Sequence, residues 1–156
     1  MKITAVEEYG LRCLMRVAEE QEGEPVSAQA IAELEGLSVS YTQKLMRILS
    51  LADLVESRRG AHGGFVLARS SEEITLGDAI RALGGIFDVE EICDRHTGEM
   101  ETCAHQCHCT IRPVWSYISR FVVETLDGIT LSDLMHDEKT VARHLAESSP
   151  ATIRSL

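Results

Sequence analysis

Four of the five cysteines of this chain crowd into 17 residues, as Cys93-x9-Cys103-x3-Cys107-x-Cys109. Thiolates this close repel one another unless they are protonated or bound to a soft cation, so metal chemistry is the first reading. The spacing lacks the two C-x2-C pairs of a zinc ribbon, and both an iron–sulfur cluster and zinc stay open as occupants. His96, His105 and His108 stand nearby with ligating nitrogens, but isolated histidines are ordinarily solvated, and none is assigned as a ligand. Cys13 falls on the apolar face of the first helix and reads as a small core residue.

A second group of residues suits recognition of a polyanion. Ser38, Ser40, Tyr41, Gln43 and Lys44 occupy the first two turns of a helical stretch that also carries Arg47. Gln43 has the amide to bond a base edge, Lys44 can reach a guanine or a phosphate, and the serines and Tyr41 suit phosphates. Downstream, Arg58–Arg59–Gly60–Ala61–His62–Gly63–Gly64 is a basic, glycine-rich turn with little bulk at its tip. Such a turn fits beside a phosphate backbone or into a narrow minor groove.

Local signals say which elements position these groups. Thr4 with Glu7 forms a capping box, and Val6, Tyr9, Cys13, Leu14 and Val17 follow at helical spacing until Glu22–Gly23–Glu24–Pro25. Ser27 caps a short helix through Ile31 and Leu34 that Gly36 closes. A third helix runs from about Ser38 to Ala52, with Val39, Thr42, Leu45, Ile48 and Leu49 facing inward. The second and third helices, bent at Ala32 and Gly36, have the texture of a helix-turn-helix. Strands at Leu54–Ser57 and Phe65–Leu67 flank the basic turn and make it a wing. Thr75 and Asp78 cap a helix ending at Gly84–Gly85, and residues 86–112 read mostly as loop. Pro113 opens a long helix whose stripe of Val114, Ile118, Phe121, Val122, Thr125 and Leu126 is suited to packing on a second copy, the alternative being packing on its own domain. Thr130 and Asp133 cap a last short helix.

The expected fold class is mainly α with a small β wing: a winged helix-turn-helix with a long dimerisation helix. The expected divisions are residues 1–83 for DNA binding, 84–112 for the cysteine loop, 113–136 for the dimerisation helix and the short helix after it, and 137–156 as a tail. With 44% apolar residues the chain can bury a core, and no run is long enough to span a membrane. The N-terminus lacks the pattern of a signal peptide, so the expected compartment is the reducing cytoplasm. Net charge is −10, yet residues 38–69 carry five basic residues (Lys44, Arg47, Arg58, Arg59, Arg69) against two acidic ones (Asp53, Glu56), a local +3. A basic face on an acidic body permits DNA binding while weakening non-specific contacts. No phosphate-cradling loop or nucleophile–base pair argues for an enzyme.

With wing and cysteine loop placed, the chain resembles the Rrf2 family of bacterial regulators over residues 1–135. The marks are Met1–Lys2–Ile3–Thr4, Leu11–Arg12–Cys13–Leu14–Met15, Ser38–Val39–Ser40–Tyr41 with Leu45, and Arg59–Gly60–Ala61–His62–Gly63–Gly64–Phe65. Ile74–Thr75–Leu76 with Ala79–Ile80, and Trp115 six residues after Cys109, complete them. The resemblance implies a dimer on a palindromic double-stranded DNA operator and an iron–sulfur cluster bound through three cysteines, here Cys93, Cys103 and Cys109. A 4Fe–4S cluster is preferred to 2Fe–2S. Zinc, or a cluster-free switch working by thiol oxidation or a protein partner, is the alternative. The chain departs from the family pattern in a longer gap between its first two cysteines and in Cys107, an extra thiol that competes as a ligand. The histidine of IscR-like members is replaced here by Arg112, which cannot ligate. The carboxylate ligand of NsrR-like members, reaching from the first helix of the other subunit, falls on Glu8. The competing reading of Glu8 is an i,i+4 ion pair with Arg12, or plain solvation.

Overall fold

The computed structural model describes residues 3–20, 23–60, 63–85, 89–105 and 108–148. Helix α1 (Ala5–Glu19) starts where Thr4 accepts from the Glu7 amide and the Glu7 carboxylate accepts from the Thr4 amide. Two orphan donors are thereby satisfied, as the T-x-x-E pattern predicts. Ser27 caps α2 (Ala28–Glu35), and Gly36 closes it in the left-handed conformation at φ 66°, with its amide donating to the Ala32 carbonyl. Ser38 caps α3 (Val39–Leu51). The helix-turn-helix therefore rests on two serine caps and one glycine.

The wing is the antiparallel pair β1 (Val55–Arg58) and β2 (Gly64–Leu67), in register from Val55 opposite Leu67 to Arg58 opposite Gly64. A third segment joins it. Val26, between α1 and α2, exchanges hydrogen bonds of 3.0 and 2.8 Å with Phe65. This explains Gly64: a Cβ there would run into the Val26 carbonyl. At Gly63 a Cβ would stand 2.5 Å from the Arg58 carbonyl oxygen, so the bend itself excludes a side chain. Ala61 and His62, which follow Gly60 in sequence, lie outside the described residues.

Below the wing, Thr75 and Asp78 form the expected capping box of α4 (Leu76–Ala82). Then come α5 (Val89–Arg95), α6 (Arg112–Asp127), α7 (Leu131–Leu134, capped by Thr130) and α8 (Glu138–Ser148). One of these refines the sequence reading and another corrects it. Residues 86–112 were expected to be mostly loop, and the structure adds a short helix, α5, which forms within them and carries Cys93. The segment from 137 is not a plain tail: the Asp137 carboxylate accepts from the Lys139 and Thr140 amides and starts α8.

The core gathers Cys13, Leu14 and Val17 of α1, Ile31 of α2, and Leu45, Met46 and Leu49 of α3, with Leu54, Ile74, Ala79 and Leu131. Leu34 and Val39 depart from the expected pattern and lie exposed. Thr42 is fully buried, and among the described residues its Oγ1 has no hydrogen-bond partner. A buried, unpaired hydroxyl opposes folding. Thr42→Val is therefore expected to raise stability by about 1 kcal/mol, read as a shift of the urea midpoint, with DNA affinity unchanged.

Candidate functional site

Helix α3 divides cleanly. Thr42, Leu45, Met46 and Leu49 are buried, whereas Ser40, Gln43, Lys44 and Arg47 are exposed. The exposed set is spaced i, i+3, i+4, i+7, which places it on one stripe of the helix. Ser38 is also exposed, with its hydroxyl 3.3 Å from that of Ser40. Tyr41 is half-buried, and its ring meets Tyr9 of α1 edge-on, with centroids 6.2 Å apart and planes at 83°. Tyr41 thus fastens α3 to α1 in addition to standing beside the exposed face.

The wing arginines differ from one another. Both are exposed, but Arg58 donates from Nη1 to the Gly23 carbonyl at 2.8 Å and so ties the wing to the α1–α2 connection. Arg59 is the cation nearer the wing tip.

Helix α1 carries an ionic device that links it to α2. The Glu35 carboxylate, whose side chain is 3% exposed, accepts from Arg12 Nε at 2.5 Å and also from Arg16 Nε. Arg16 pairs with Glu19 at 2.8 Å, and the Arg12 guanidinium lies 5.6 Å from the centre of the Tyr9 ring. Burial pushes the Glu35 pKa up, but hydrogen bonds from Arg16 and Arg12 outweigh it and hold the carboxyl below its ordinary value. This cluster escapes local sequence reasoning because its partners are 23 and 19 residues apart. One signal does exist. A glutamate in the last turn of a helix faces the negative end of the dipole and needs cations from elsewhere.

Since Arg12 is committed to Glu35, it is not the i,i+4 partner of Glu8. Glu8 is exposed on α1, and among the described residues its carboxylate has no hydrogen bond or ion pair.

Cys93 on α5, and Cys103 and Cys109 in the connection to α6, are free thiols of intermediate exposure. Cys13 is fully buried, and desolvation, then the Glu35 charge, push its pKa up to about 11, which keeps it an inert thiol. Cys107 lies outside the described residues. Within one chain, the described residues form no group of three His, Cys, Asp or Glu side chains able to hold a metal ion.

Helix α6 follows directly. None of its residues is buried, and Val114, Trp115, Tyr117 and Ile118 are exposed, as is Ile111 just before it. Its far end is fixed by Arg81 to Asp127 at 2.8 Å and by backbone bonds joining Leu76 to Ile129 and Leu131 to Ile74. No helix among the described residues is long and apolar enough to cross a membrane.

A model of the Rrf2 family, described as iron-dependent transcriptional regulator, matches residues 3–137. The chain belongs to the Rrf2 family. This Rrf2 chain is 35% identical over 150 residues to protein rrf2 of Nitratidesulfovibrio vulgaris, covering 96% of this chain and 97% of that one. It is 37% identical over 135 residues to the HTH-type transcriptional regulator CymR of Bacillus subtilis, covering 86% and 89%. To the regulator IscR of Pectobacterium carotovorum it is 29% identical over 154 residues, covering 99% and 90%. Among solved structures, that of CymR, the global cysteine regulator of B. subtilis, superposes with a TM-score of 0.66 at 35% identity, covering 86% of this chain and 96% of that one. The T. potens IscR structure gives 0.68 at 29% identity, covering 99% and 96%. The winged helix-turn-helix architecture is thereby shared with both. This Rrf2 chain is a transcriptional regulator, and its relatives are regulators rather than enzymes.

Proposed function

We propose that this regulator binds double-stranded DNA as a homodimer in the cytoplasm, with its affinity set by an iron–sulfur cluster on Cys93, Cys103 and Cys109. The observation that carries the reading is the partial exposure of these three free thiols. Cysteine is among the most buried residue types, and thiols left at a surface in this density are suited to a soft metal group. By residue type the donor set suits such a cluster: three thiols of one chain, which loading must draw together from their present separation, completed by Glu8 of the partner subunit, with Cys107 as a competing thiol. Glu8 supports this because Arg12, its would-be neutraliser, is held by Glu35. When bound, such a cluster supplies a redox- and nitric-oxide-sensitive group, most labile at the iron held by the hard carboxylate. A 4Fe–4S form is preferred to 2Fe–2S.

The chain's own residues supply the rest. The exposed apolar stripe of α6 pairs with a second copy and brings the two wings and α3 helices to one face. Ser38, Ser40, Tyr41, Gln43, Lys44 and Arg47 then meet the major groove, and Arg58, Arg59 and His62 the adjoining backbone or minor groove. A two-fold dimer predicts a palindromic operator with half-sites about 34 Å apart or a multiple of it. Glu8 lies one turn from Arg12, which grips α2 through Glu35, and one residue from Tyr9, which abuts Tyr41 of α3. A change in what Glu8 holds is thus felt by the helix-turn-helix.

Fluorescence anisotropy with selected DNA tests this, comparing cluster-loaded protein with protein stripped of iron. The reading expects affinities that differ tenfold or more, and equal affinities contradict it. Lys44→Ala and Arg47→Ala should each weaken binding several-fold whatever the sequence, and each should reduce the salt-dependence slope by about 1. A specific likeness favours one second reading. The relation to CymR, a cysteine regulator, supports a cluster-free thiol or zinc switch on the same scaffold. Protein that stays colourless, and whose DNA binding follows thiol oxidation or zinc loss, selects it.

A further inference from the structure

Helical periodicity sends Val39 inward, but the structure leaves it 41% exposed at the first position of α3. It stands at the edge of the exposed stripe, flanked by Ser38 and Ser40, with Gln43 one turn further on the same side. Its two methyl groups are an apolar spot on an otherwise polar leading end. The other exposed large apolar residue of this helix, Leu51, closes the opposite end. In the major groove the thymine 5-methyl is the apolar feature that separates the base pairs, whereas a glutamine side chain pairs with adenine.

Resting on the DNA-binding reading above, we infer that Val39 is a specificity-determining residue that contacts the methyl group of a thymine. Four helical residues span about 6 Å along the axis, and base pairs repeat about every 3.4 Å. Val39 and Gln43 therefore address base pairs one or two steps apart. Together they favour an A·T-containing core in each half-site, with the exposed hydroxyls of Ser38, which caps the helix, and of Ser40, bonded to it, beside the neighbouring phosphates. The contact is one of shape and desolvation, so it adds discrimination without adding charge or salt dependence.

The test uses the full-length chain, purified anaerobically, and duplexes enriched by it from a random-sequence pool. Each thymine of the enriched site is replaced singly by uracil, which removes the 5-methyl and nothing else. Affinities are measured for the unmodified protein, Val39→Ala and Val39→Thr, with circular dichroism confirming the fold of each. The expected result is one thymine per half-site, within two base pairs of the position at which Gln43→Ala relaxes selection, whose replacement weakens binding about fourfold. That loss disappears in Val39→Ala and shrinks in Val39→Thr. The inference is overturned if every thymine-to-uracil change is neutral, or if the same loss persists in Val39→Ala. Enrichment of no sequence at all is a different result: it overturns the DNA-binding reading and takes this inference with it.

Discussion

Replacing Arg12 and Arg16 together by glutamine is expected to cost about 2–3 kcal/mol of stability. The reason is the burial of Glu35, whose side chain is only 3% exposed and whose two carboxylate oxygens are held by these two guanidinium groups. Breaking a buried ion pair from one side leaves a desolvated charge without compensation. The arginines are themselves 46% and 37% exposed, so solvent screening brings the penalty below that of fully buried pairs. Urea denaturation at neutral pH measures the loss, and Glu35→Gln added to the double variant should recover part of it. The same geometry sets a pH dependence. The Glu35 pKa is lower in the folded chain than unfolded, so its contribution is present above the unfolded value and is lost as pH falls through the folded one. The arginine double variant should lack that acid-side dependence.

The second large effect concerns the thiols. Cys93→Ser, Cys103→Ser and Cys109→Ser should each abolish cluster retention and bring the DNA affinity of anaerobically purified protein to that of the iron-free form. Cys13→Ser should leave cluster binding intact, because that thiol is buried in the core and kept protonated. Glu8→Ala should give an intermediate result, with the cluster formed but lost several-fold faster in air, since only its hardest ligand is removed. A Glu8→Ala protein with unchanged cluster spectrum, lifetime and DNA response contradicts the trans-ligand assignment. Absorbance decay in air and anisotropy titration read both outcomes.

Much of this architecture was legible because its signals are local. Thr4, Ser27, Ser38, Thr75 and Thr130 each cap a helix through their own third following residue or its equivalent, so five helix starts could be read from short strings. The wing was legible from two short strands around a basic, glycine-rich turn. What escaped depends on distance or on weak patterning. Helix α5 is dominated by charge, and α8 has too few apolar residues to show an obvious stripe. The Val26–Phe65 pairing and the Glu35 cluster join segments far apart in sequence, where no spacing rule applies. Val39 was misread because α3 turns its first residue to the edge of the core rather than into it. For the site, residue types showed which side chains suit phosphate, base and metal. The tertiary packing showed which of them face outward, and it took Arg12 away from Glu8.

On the proposed reading, the half-exposed thiols serve a cluster that sets DNA affinity. The most direct test is anaerobic purification followed by visible absorption and counts of iron and acid-labile sulfide per chain. The expected result is brown protein with near-equal iron and sulfide, approaching four of each per chain for the preferred cluster. Protein that is colourless and still free of iron after anaerobic reconstitution would contradict it, and would leave a thiol or zinc switch on this DNA-binding scaffold.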